Sequence, residues 1–594
     1  MPSLYCRVVP VLLSCLLGLS LQAQPHREWL RHWPEGDSLS GRESAFSTLC
    51  APDGGVIVGG VKQAGGTVLV KYSPSGAILW SMSLSAGVPG LMWLDSEGNL
   101  YINASGLVRK FSTSGVLLWQ SSMPDDVFPK GWDPDSELAP PIDMDSTGAV
   151  YFPVLVRREV WNNGWYWQDS PGIAKVGNDG QTKWVLHANT WFFGSGAQPV
   201  AVRVSGDRVF LATNVQSEDP VGHWDINFAA ASLGGEWLWS TTYVHPFPGG
   251  AYSSARTLAV DLEGNLVAGG YASTTGFLVK VHRNGALLWR ADTQLDGYEE
   301  SRSLLVDHEN NTVGVFLNSL TIDGQERRRA FVEKRGPGGG LLWASLYELP
   351  GANLGRLRPF KFSPDGMIYG LCSISRPDLP FSTAVLRVDH LGQIVVVDEV
   401  NTADSPVLRA VDIDSYGSIY AAGSRREQPN LEDYLTVKLS GPARNIAPSS
   451  FNLFRGALVS GTVQDLHESD DARLVFKAGP VLQRSEPPTQ IIVSGTAHNA
   501  FPGSLKLRIE GGPSAPGFAR TVQCFNFKTG TFETVATGGV PQGDSILELD
   551  LSGDLARFVS PGSLEVRTKI VFTPGPSVPR TWNVGVDQVR WTVR

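Results

Sequence analysis

The chain has 594 residues, of which 42% are hydrophobic and 18% are charged, with 65 glycines, 39 prolines and 18 tryptophans. This length exceeds what one ordinary hydrophobic core organises, and the apolar content excludes global disorder. The formal net charge of −9 lacks the basic footprint of a nucleic-acid binder, so no nucleic-acid partner is predicted.

Residues 1–23 have the pattern of a secretory signal peptide. Arg7 supplies a positive charge, an apolar run follows from Val8 to Leu21, and Ala23 is a small residue suited to cleavage. No later run of about 20 apolar residues exists, so no transmembrane segment is predicted. We therefore expect a secreted protein, extracellular or periplasmic. Its mature chain would hold three widely separated cysteines, predicted to be buried free thiols: Cys50, Cys372 and Cys524.

Two short sequence motifs, called the first and the second phrase below, repeat through residues 24–440. The first is an apolar strand with Lys or Arg, a tight turn containing Gly, two apolar residues and Trp, as in 68–80 and 277–289. The second, which precedes it, is an apolar strand, Asp, a turn with Gly and another apolar strand, as in 94–101 and 260–267. Asp and Gly favour tight turns between strands. Each unit is therefore predicted to be two hairpins, that is four short strands, A to D.

A repeat of four strands every 50 residues or so is typical of a β-propeller blade. The last unit lacks a D strand, and the segment from Glu28 to Trp33 is a strand without partners, so the two are expected to complete one blade. We predict an all-β fold with an eight-bladed β-propeller closed by the N-terminal strand, with seven blades as the alternative. The Trp residues that end the D strands are expected to wedge between neighbouring blades: Trp80, Trp119, Trp184, Trp239, Trp289 and Trp343. In the seventh unit Val396 or Val397 replaces the Trp.

These phrases resemble the repeats of bacterial secreted β-propellers, the SBBP and PQQ-like repeat families. The resemblance covers roughly residues 26–440. It implies the fold and not the function, because such repeats occur in enzymes and in non-enzymes.

The regular spacing of the Trp motif stops after residue 440. Residues 441–448 are rich in Gly, Pro and polar residues and are predicted to be a linker. Residues 449–594 contain about eight short alternating runs separated by turns, which predicts a jelly-roll-like β-sandwich domain. In its last strand we expect Val589, Trp591 and Val593 to face the core, but not Asp587, which shares their alternation.

The candidate site lies on one face of the propeller. The A–B and C–D turns stay short, whereas the B–C and D–A connections vary in length and share one face, where binding is expected. Aromatic side chains beside Asn, Asp and His on that face are suited to a glycan or protein ligand. The candidate ligand-binding residues are Trp132, Trp161, Trp165, Trp167, His223, Trp224, Asp225 and His245. The run Arg327 to Arg329 is interpreted as a solvated loop edge.

No catalytic residue, metal site or cofactor is predicted. Zinc-helix, nucleophile-elbow and P-loop motifs are missing. The Asp pairs 143/145 and 412/414 fall at A–B turns and lack the bidentate Glu of a calcium loop, so a structural role is favoured. We expect a non-enzymatic scaffold or binding protein. The alternatives are a PQQ-type dehydrogenase and a propeller-based polysaccharide-degrading enzyme, with Glu137, His223, Asp225 and His245 as candidates for the latter; oligomeric state stays open.

Overall fold

The computed structural model describes residues 25–33, 43–62, 66–84, 89–104, 107–129, 142–161, 165–187, 197–216, 224–244, 252–293, 295–322, 324–377, 379–401, 406–428, 431–441, 443–481, 486–578 and 581–594. These residues are mainly antiparallel β-strand, and the helices among them are two short 3₁₀ turns, η1 (Gln464–Leu466) and η2 (Leu555–Phe558). The predicted all-β class is thus confirmed. Among the described residues no helix has the length and apolarity needed to cross a membrane. The predicted signal peptide lies outside the described residues.

The part of the chain described between residues 26 and 440 forms eight antiparallel sheets, numbered here in chain order. Sheet 1 contains β2 (Ser44–Cys50), β3 (Val56–Lys62), β4 (Gly66–Tyr72) and β5 (Ile78–Leu84). Sheet 2 contains β6 (Pro89–Leu94), β7 (Leu100–Ala104), β8 (Leu107–Phe111) and β9 (Leu117–Ser122). Sheet 3 contains β10 (Val127–Pro129), β11 (Asp143–Met144), β12 (Val150–Trp161), β13 (Trp165–Val176) and β14 (Thr182–His187). Sheet 4 contains β15 (Gln198–Ser205), β16 (Arg208–Gln216), β17 (Trp224–Ser232) and β18 (Trp237–Tyr243).

The remaining four sheets repeat this plan. Sheet 5 contains β19 (Ser253–Val260), β20 (Leu266–Ala272), β21 (Thr275–Val281) and β22 (Leu287–Asp292). Sheet 6 contains β23 (Tyr298–Val306), β24 (Thr312–Ile322), β25 (Gln325–Arg335) and β26 (Leu341–Tyr347). Sheet 7 contains β27 (Asn353–Leu357), β28 (Lys361–Phe362), β29 (Ile368–Ser375), β30 (Ser382–Val388) and β31 (Ile394–Val400). Sheet 8 contains β32 (Val407–Ile413), β33 (Ile419–Gln428), β34 (Leu431–Ser440) and, as its outer strand, β1 (His26–Trp33).

Strand β1 joins the start of the described chain to sheet 8, the pairing that the sequence predicts. It runs antiparallel to β34, with Leu30 opposite Val437 and Trp33 opposite Tyr434. Trp29 is only 7% exposed. The sheets contact one another in a cycle. Sheet 1 packs against sheets 2 and 8, each of sheets 3 to 7 packs against the next, and sheets 2 and 3 share a hydrophobic cluster that includes Tyr101 and Phe152. Many four-stranded antiparallel sheets in this arrangement are consistent with a β-propeller.

The recurring Trp residues pack against the sheet that follows. Six of them donate the indole Nε1–H to a carbonyl oxygen in the C–D turn of that sheet, at 2.8–3.2 Å. These donors are Trp29, Trp80, Trp119, Trp184, Trp239 and Trp289. Trp343 packs on Gly392 in the same way, but its Nε1 has no hydrogen-bond partner among the described residues. The turn glycine packs against the same ring, so the interpretation of these Trp residues as wedges between sheets is confirmed.

The recurring Asp residues are also structural. Asp261 accepts the backbone N–H groups of Glu263 and Asn265 and lies 2.7 Å from Lys280 Nζ. The same ion pair recurs in other sheets between Lys71 and Asp53, Lys110 and Asp95, Lys175 and Asp145, and Lys334 and Asp307. The Lys of the first phrase therefore anchors the Asp turn of the second phrase, which agrees with the structural interpretation of these turns.

Residues 444–593 form two further sheets. Sheet 9 has the order β37 (Ala457–Ser460), β38 (Leu474–Lys477), β45 (Asn583–Val593), β40 (Leu505–Pro513), β43 (Ile546–Asp550), with β35 (Arg444–Ile446) also paired to β45. Sheet 10 has the order β36 (Ser450–Arg455), β39 (Thr489–Thr496), β44 (Glu565–Pro574), β41 (Phe518–Asn526), β42 (Thr531–Val540). The two sheets share one hydrophobic core, which includes Leu507 and Trp591 from sheet 9 and Ile570 from sheet 10.

The last strand, β45, differs from expectation at one residue. Val589, Trp591 and Val593 are buried, as predicted, but Asp587 is buried as well. The register also shifts at this point: Glu510 pairs with Gln588 while Gly511 pairs with Val586, which leaves Asp587 as the extra residue of a β-bulge and places Val586 in the core.

The described cysteines are free, as predicted. Cys372 and Cys524 are buried and Cys50 is half-buried. Burial raises the pKa of the Cys372 and Cys524 thiols to about 12, so both stay protonated at neutral pH.

Candidate ligand-binding face

The connections at the two ends of the sheets differ in length. The C–D turns are short and nearly uniform, as between residues 72 and 78 or 281 and 287. The B–C connection of sheet 4 runs from 216 to 224, and its D–A link runs from 243 to 253. Because neighbouring strands alternate in direction, the B–C and D–A connections lie at the same end of the sheets. Length variation is therefore concentrated on one face, as predicted.

Four aromatic side chains form a row on this face across sheets 4, 5 and 6. Trp224 begins β17, Tyr252 precedes β19, Tyr271 lies near the end of β20, and Tyr298 begins β23. Successive ring centroids are 5.7, 6.0 and 5.5 Å apart. Tyr252 is 44% exposed and Tyr298 is 37% exposed, whereas Tyr271 between them is buried. This aromatic row thus presents two exposed phenol rings supported by a buried one.

A charged trio lies beside the aromatic row. The Arg256 guanidinium lies 5.3 Å from the centre of the Tyr271 ring, within cation–π range. Its Nε is 3.3 Å from the Glu300 carboxylate, and Arg302 Nη2 donates to the same carboxylate at 2.8 Å. Glu300 therefore bridges two arginines, and the trio Arg256, Glu300 and Arg302 is held in place next to the rings.

The exposed tyrosines are neutral hydroxyls at physiological pH. Burial, and then the neighbouring Glu300 carboxylate, raise the pKa of Tyr298 well above its ordinary value. Burial raises the pKa of Tyr252 as well, with a smaller contribution from Tyr271. A neutral phenol can both donate and accept a hydrogen bond, which suits a ligand rich in hydroxyl groups.

Bulges in the A strands place the arginines of the trio. The ladder between β19 and β20 shifts register between Ala255 and Thr257, and the ladder between β23 and β24 shifts between Ser301 and Ser303. A bulged residue is not paired with the neighbouring strand, and its side chain departs from the regular alternation of directions along the strand. Arg256 and Arg302 are the residues in this position. The sequence carries a signal for this that we did not use, because Arg precedes the turn Asp by the same spacing in several units (256 and 261, 302 and 307, 409 and 414).

A groove of about 450 Å³ opens on the same face between sheets 6 and 7. It is lined by the β24–β25 turn, the β26–β27 link and the segment after β29, including Arg327, Glu348, Asn353 and Arg376. Arg327 lies 3.1 Å from Glu348. The run Arg327 to Arg329 is thus part of strand β25, and the interpretation of it as a loop edge is wrong. Arg327 can reach Glu348 because the β24–β25 hairpin extends further than the hairpins of most other repeats predict.

The structure describes three of the eight predicted site residues only as backbone, three not at all and two in full. Trp161 and Trp165 pair with each other at the end of the β12–β13 hairpin, and Trp167 pairs with Glu159. Trp132, His223 and His245 lie outside the described residues, as does Glu137. Trp224 joins the aromatic row, whereas the neighbouring Asp225 is buried. Of the residues predicted from the sequence, Trp224 thus belongs to the row, whereas the tyrosines and the charged trio are not among the predicted residues.

No protein-family model matches the chain, and no curated protein matches it. Solved structures with similarity include Drosophila Semaphorin 1a, extracellular domains 1-2, at 10% identity and a TM-score of 0.33 over 69% of this chain and 88% of that one. An exo-beta-1,3-galactanase from Phanerochaete chrysosporium matches at 11% identity and a TM-score of 0.23, over 67% of this chain and 95% of that one. A protein of unknown function from Bacteroides caccae matches at 15% identity and a TM-score of 0.25, over 47% and 84%. At these values the similarity carries no information on function.

Proposed function

We propose that the protein is a secreted, non-enzymatic binding protein that holds a glycan on the face carrying the aromatic row. In this proposal sheets 1 to 8 are the blades of an eight-bladed β-propeller, with sheet 8 completed by β1. Sheets 9 and 10 form a jelly-roll-like β-sandwich. Strand β35 lies within the predicted linker 441–448 and pairs with β45, so the sandwich begins at Arg444. The apolar run from Val8 to Leu21 supports secretion.

The observation that carries the proposal is the pairing of exposed rings with a fixed charged trio. Sugar rings have an apolar face that stacks on a phenol and a rim of hydroxyls that need hydrogen-bond partners. Tyr252 and Tyr298 supply the rings, and Arg256, Glu300 and Arg302 supply donors and acceptors beside them. Because the trio is already ion-paired, these groups need little reordering on binding, which favours affinity.

The charged trio favours binding over proton transfer. A general acid or base needs a carboxylate that can reach the reacting group and exchange a proton with it. Glu300 is instead held between two guanidinium groups. The site is therefore suited to recognition of hydroxyl groups by a carboxylate that is fixed in place.

A glycan array with the full mature chain tests the proposal. Tyr252→Ala and Tyr298→Ala should each weaken binding of the preferred glycan about tenfold or more, which corresponds to about 1.4 kcal/mol. Phe454→Ala is the matched control, because Phe454 is an exposed aromatic residue in sheet 10. It should leave binding unchanged.

Three outcomes would contradict the proposal. An array without any bound glycan, or equal binding by both Tyr variants and the wild type, would exclude the aromatic row as a glycan site. Release of sugar from a bound polysaccharide would favour the enzymatic alternative.

A further inference from the structure

Three carboxylates from separate segments of the C-terminal part meet at one end of sheet 9. Asp471 lies in the loop before β38, Asp544 lies before β43, and Asp587 lies within β45. One carboxylate oxygen from each lies within 4.8 Å of those of the other two. This cluster is far in sequence and in topology from the aromatic row.

Asp587 is the unusual member of the cluster. Its bulge position turns it out of the regular alternation of β45, and the residue is only 1% exposed. Its Oδ1 atom is buried and has no hydrogen-bond partner among the described residues. A buried charged oxygen without a partner costs free energy, and native proteins normally satisfy such atoms with a proton donor or a metal ion.

Arg473 compensates only part of the charge. Its Nη2 atom lies 2.9 Å from an oxygen of Asp471 and 2.9 Å from an oxygen of Asp544. One guanidinium therefore faces three carboxylates, and two negative charges stay uncompensated.

We propose that Asp471, Asp544 and Asp587 bind a divalent cation, and that the cation is calcium. Three carboxylates supply hard oxygen ligands, and the uncompensated charge matches a doubly charged ion. Asp471 and Asp544 are exposed, so water can complete the six to eight oxygen ligands that calcium takes. The ion would tie the loop before β38 and the loop before β43 to the central strand of sheet 9.

Calorimetric titration of the EDTA-treated full chain with calcium chloride tests this. We expect one binding event with a dissociation constant at or below about 1 mM, the range of extracellular calcium modules, and a rise in the melting temperature with calcium. The same titration with magnesium should give weaker binding, because magnesium requires a tighter octahedral shell. Asp587→Asn should abolish the binding and the temperature shift.

Two controls separate lost binding from lost folding. Asp550→Asn changes an exposed aspartate on β43 of the same sheet and should bind calcium like the wild type. Without calcium, Asp587→Asn should be at least as stable as the wild type, because it removes a buried uncompensated charge. Wild-type protein that gives neither a heat of binding nor a shift of the melting temperature at several times 1 mM calcium would overturn the proposal. Calcium binding by Asp587→Asn equal to that of the wild type would overturn it as well.

Discussion

At the scale of single residues, the Asp–Lys pairs of the repeat explain why polar residues occupy the sheet interior. Asp261 and Lys280 are both buried, and each keeps hydrogen bonds beyond their shared contact. Burial alone would raise the pKa of Asp261, but hydrogen bonds from Lys280 and Asn265 lower it overall. The pKa is thus depressed in the folded state, so its stabilising contribution is present above the ordinary pKa of Asp. That contribution is lost as the pH falls through the lowered value.

Replacing one partner of this pair should be costly. Lys280→Met leaves Asp261 charged and buried, so we expect a loss of about 3–5 kcal/mol in the free energy of unfolding. Urea unfolding at pH 7 would measure it. Lys506→Met is the matched control, because Lys506 and Asp550 form an exposed pair in sheet 9, and its cost should stay below about 1 kcal/mol. Equal losses in the two variants would show that the burial of the repeat pair is energetically unimportant.

At the scale of the element, each Trp of the repeat has a partner in the C–D turn of the following sheet, and a Trp is expected only where that turn exists. In seven cases the ring packs against the glycine of the C–D turn in the following sheet, from Trp29 on Gly76 to Trp343 on Gly392. Sheet 8 has no C–D turn, because its C strand is β34 and its D strand is β1. The D strand of sheet 7 therefore has no turn to pack against, and this strand carries Val396 or Val397 where the other repeats carry Trp. The seventh repeat therefore lacks the Trp because sheet 8 takes its D strand from β1 and has no C–D turn.

Replacement of the turn glycines by Ala should destabilise the protein for two separable reasons. Gly180 has φ +78°, and a Cβ there would lie 2.8 Å from the Trp119 ring. Gly417 has φ +87° with no atom within 4 Å of its Cβ position. Gly417→Ala should therefore cost about 1–2 kcal/mol for the left-handed backbone alone. Gly180→Ala should cost a further 1–3 kcal/mol or so for the displaced indole. Thermal unfolding of both variants measures the difference, and equal melting temperatures would mean that the Trp contact adds nothing.

The sequence predicted the strands well because their signals are local, and predicted the site poorly because its signals are not. Turn Asp and Gly residues and the Trp phrase lie within a few positions of one another, so a repeat of them reveals the hairpins. The aromatic row joins Trp224, Tyr252 and Tyr298 across three sheets, and only the packing of those sheets brings them together. Asp587 shows a related limit: its charge predicts exposure, yet it is buried, and a bulge in β45 places Val586 in the core although strict alternation assigns it to the other face.

At the scale of the whole molecule, the two ends of the repeat region hold the cycle of sheets together. Arg27 of β1 makes a bidentate contact with Asp398 of sheet 7, and Trp29 donates to Pro74 of sheet 1. Glu28 lies 2.8 Å from Lys438 of sheet 8. One eight-residue strand thus contacts three sheets, so its energetic effect should extend well beyond its own ladder.

A chain that lacks residues 1–33 tests this closure. Without β1 the edge of β34 is unpaired and Lys438 loses Glu28, so we expect a lower melting temperature and concentration-dependent association through the open edge. A synthetic peptide of residues 26–33 should restore the association state and the melting temperature of the full chain, because it can add to the edge as an antiparallel strand. The same peptide with both tryptophans replaced by Ala should restore neither, since Trp29 and Trp33 are its buried side chains in sheet 8. If the truncated chain melted like the full chain and had the same association state, the sheets would be held in their cycle without β1, and closure by the N-terminal strand would be wrong.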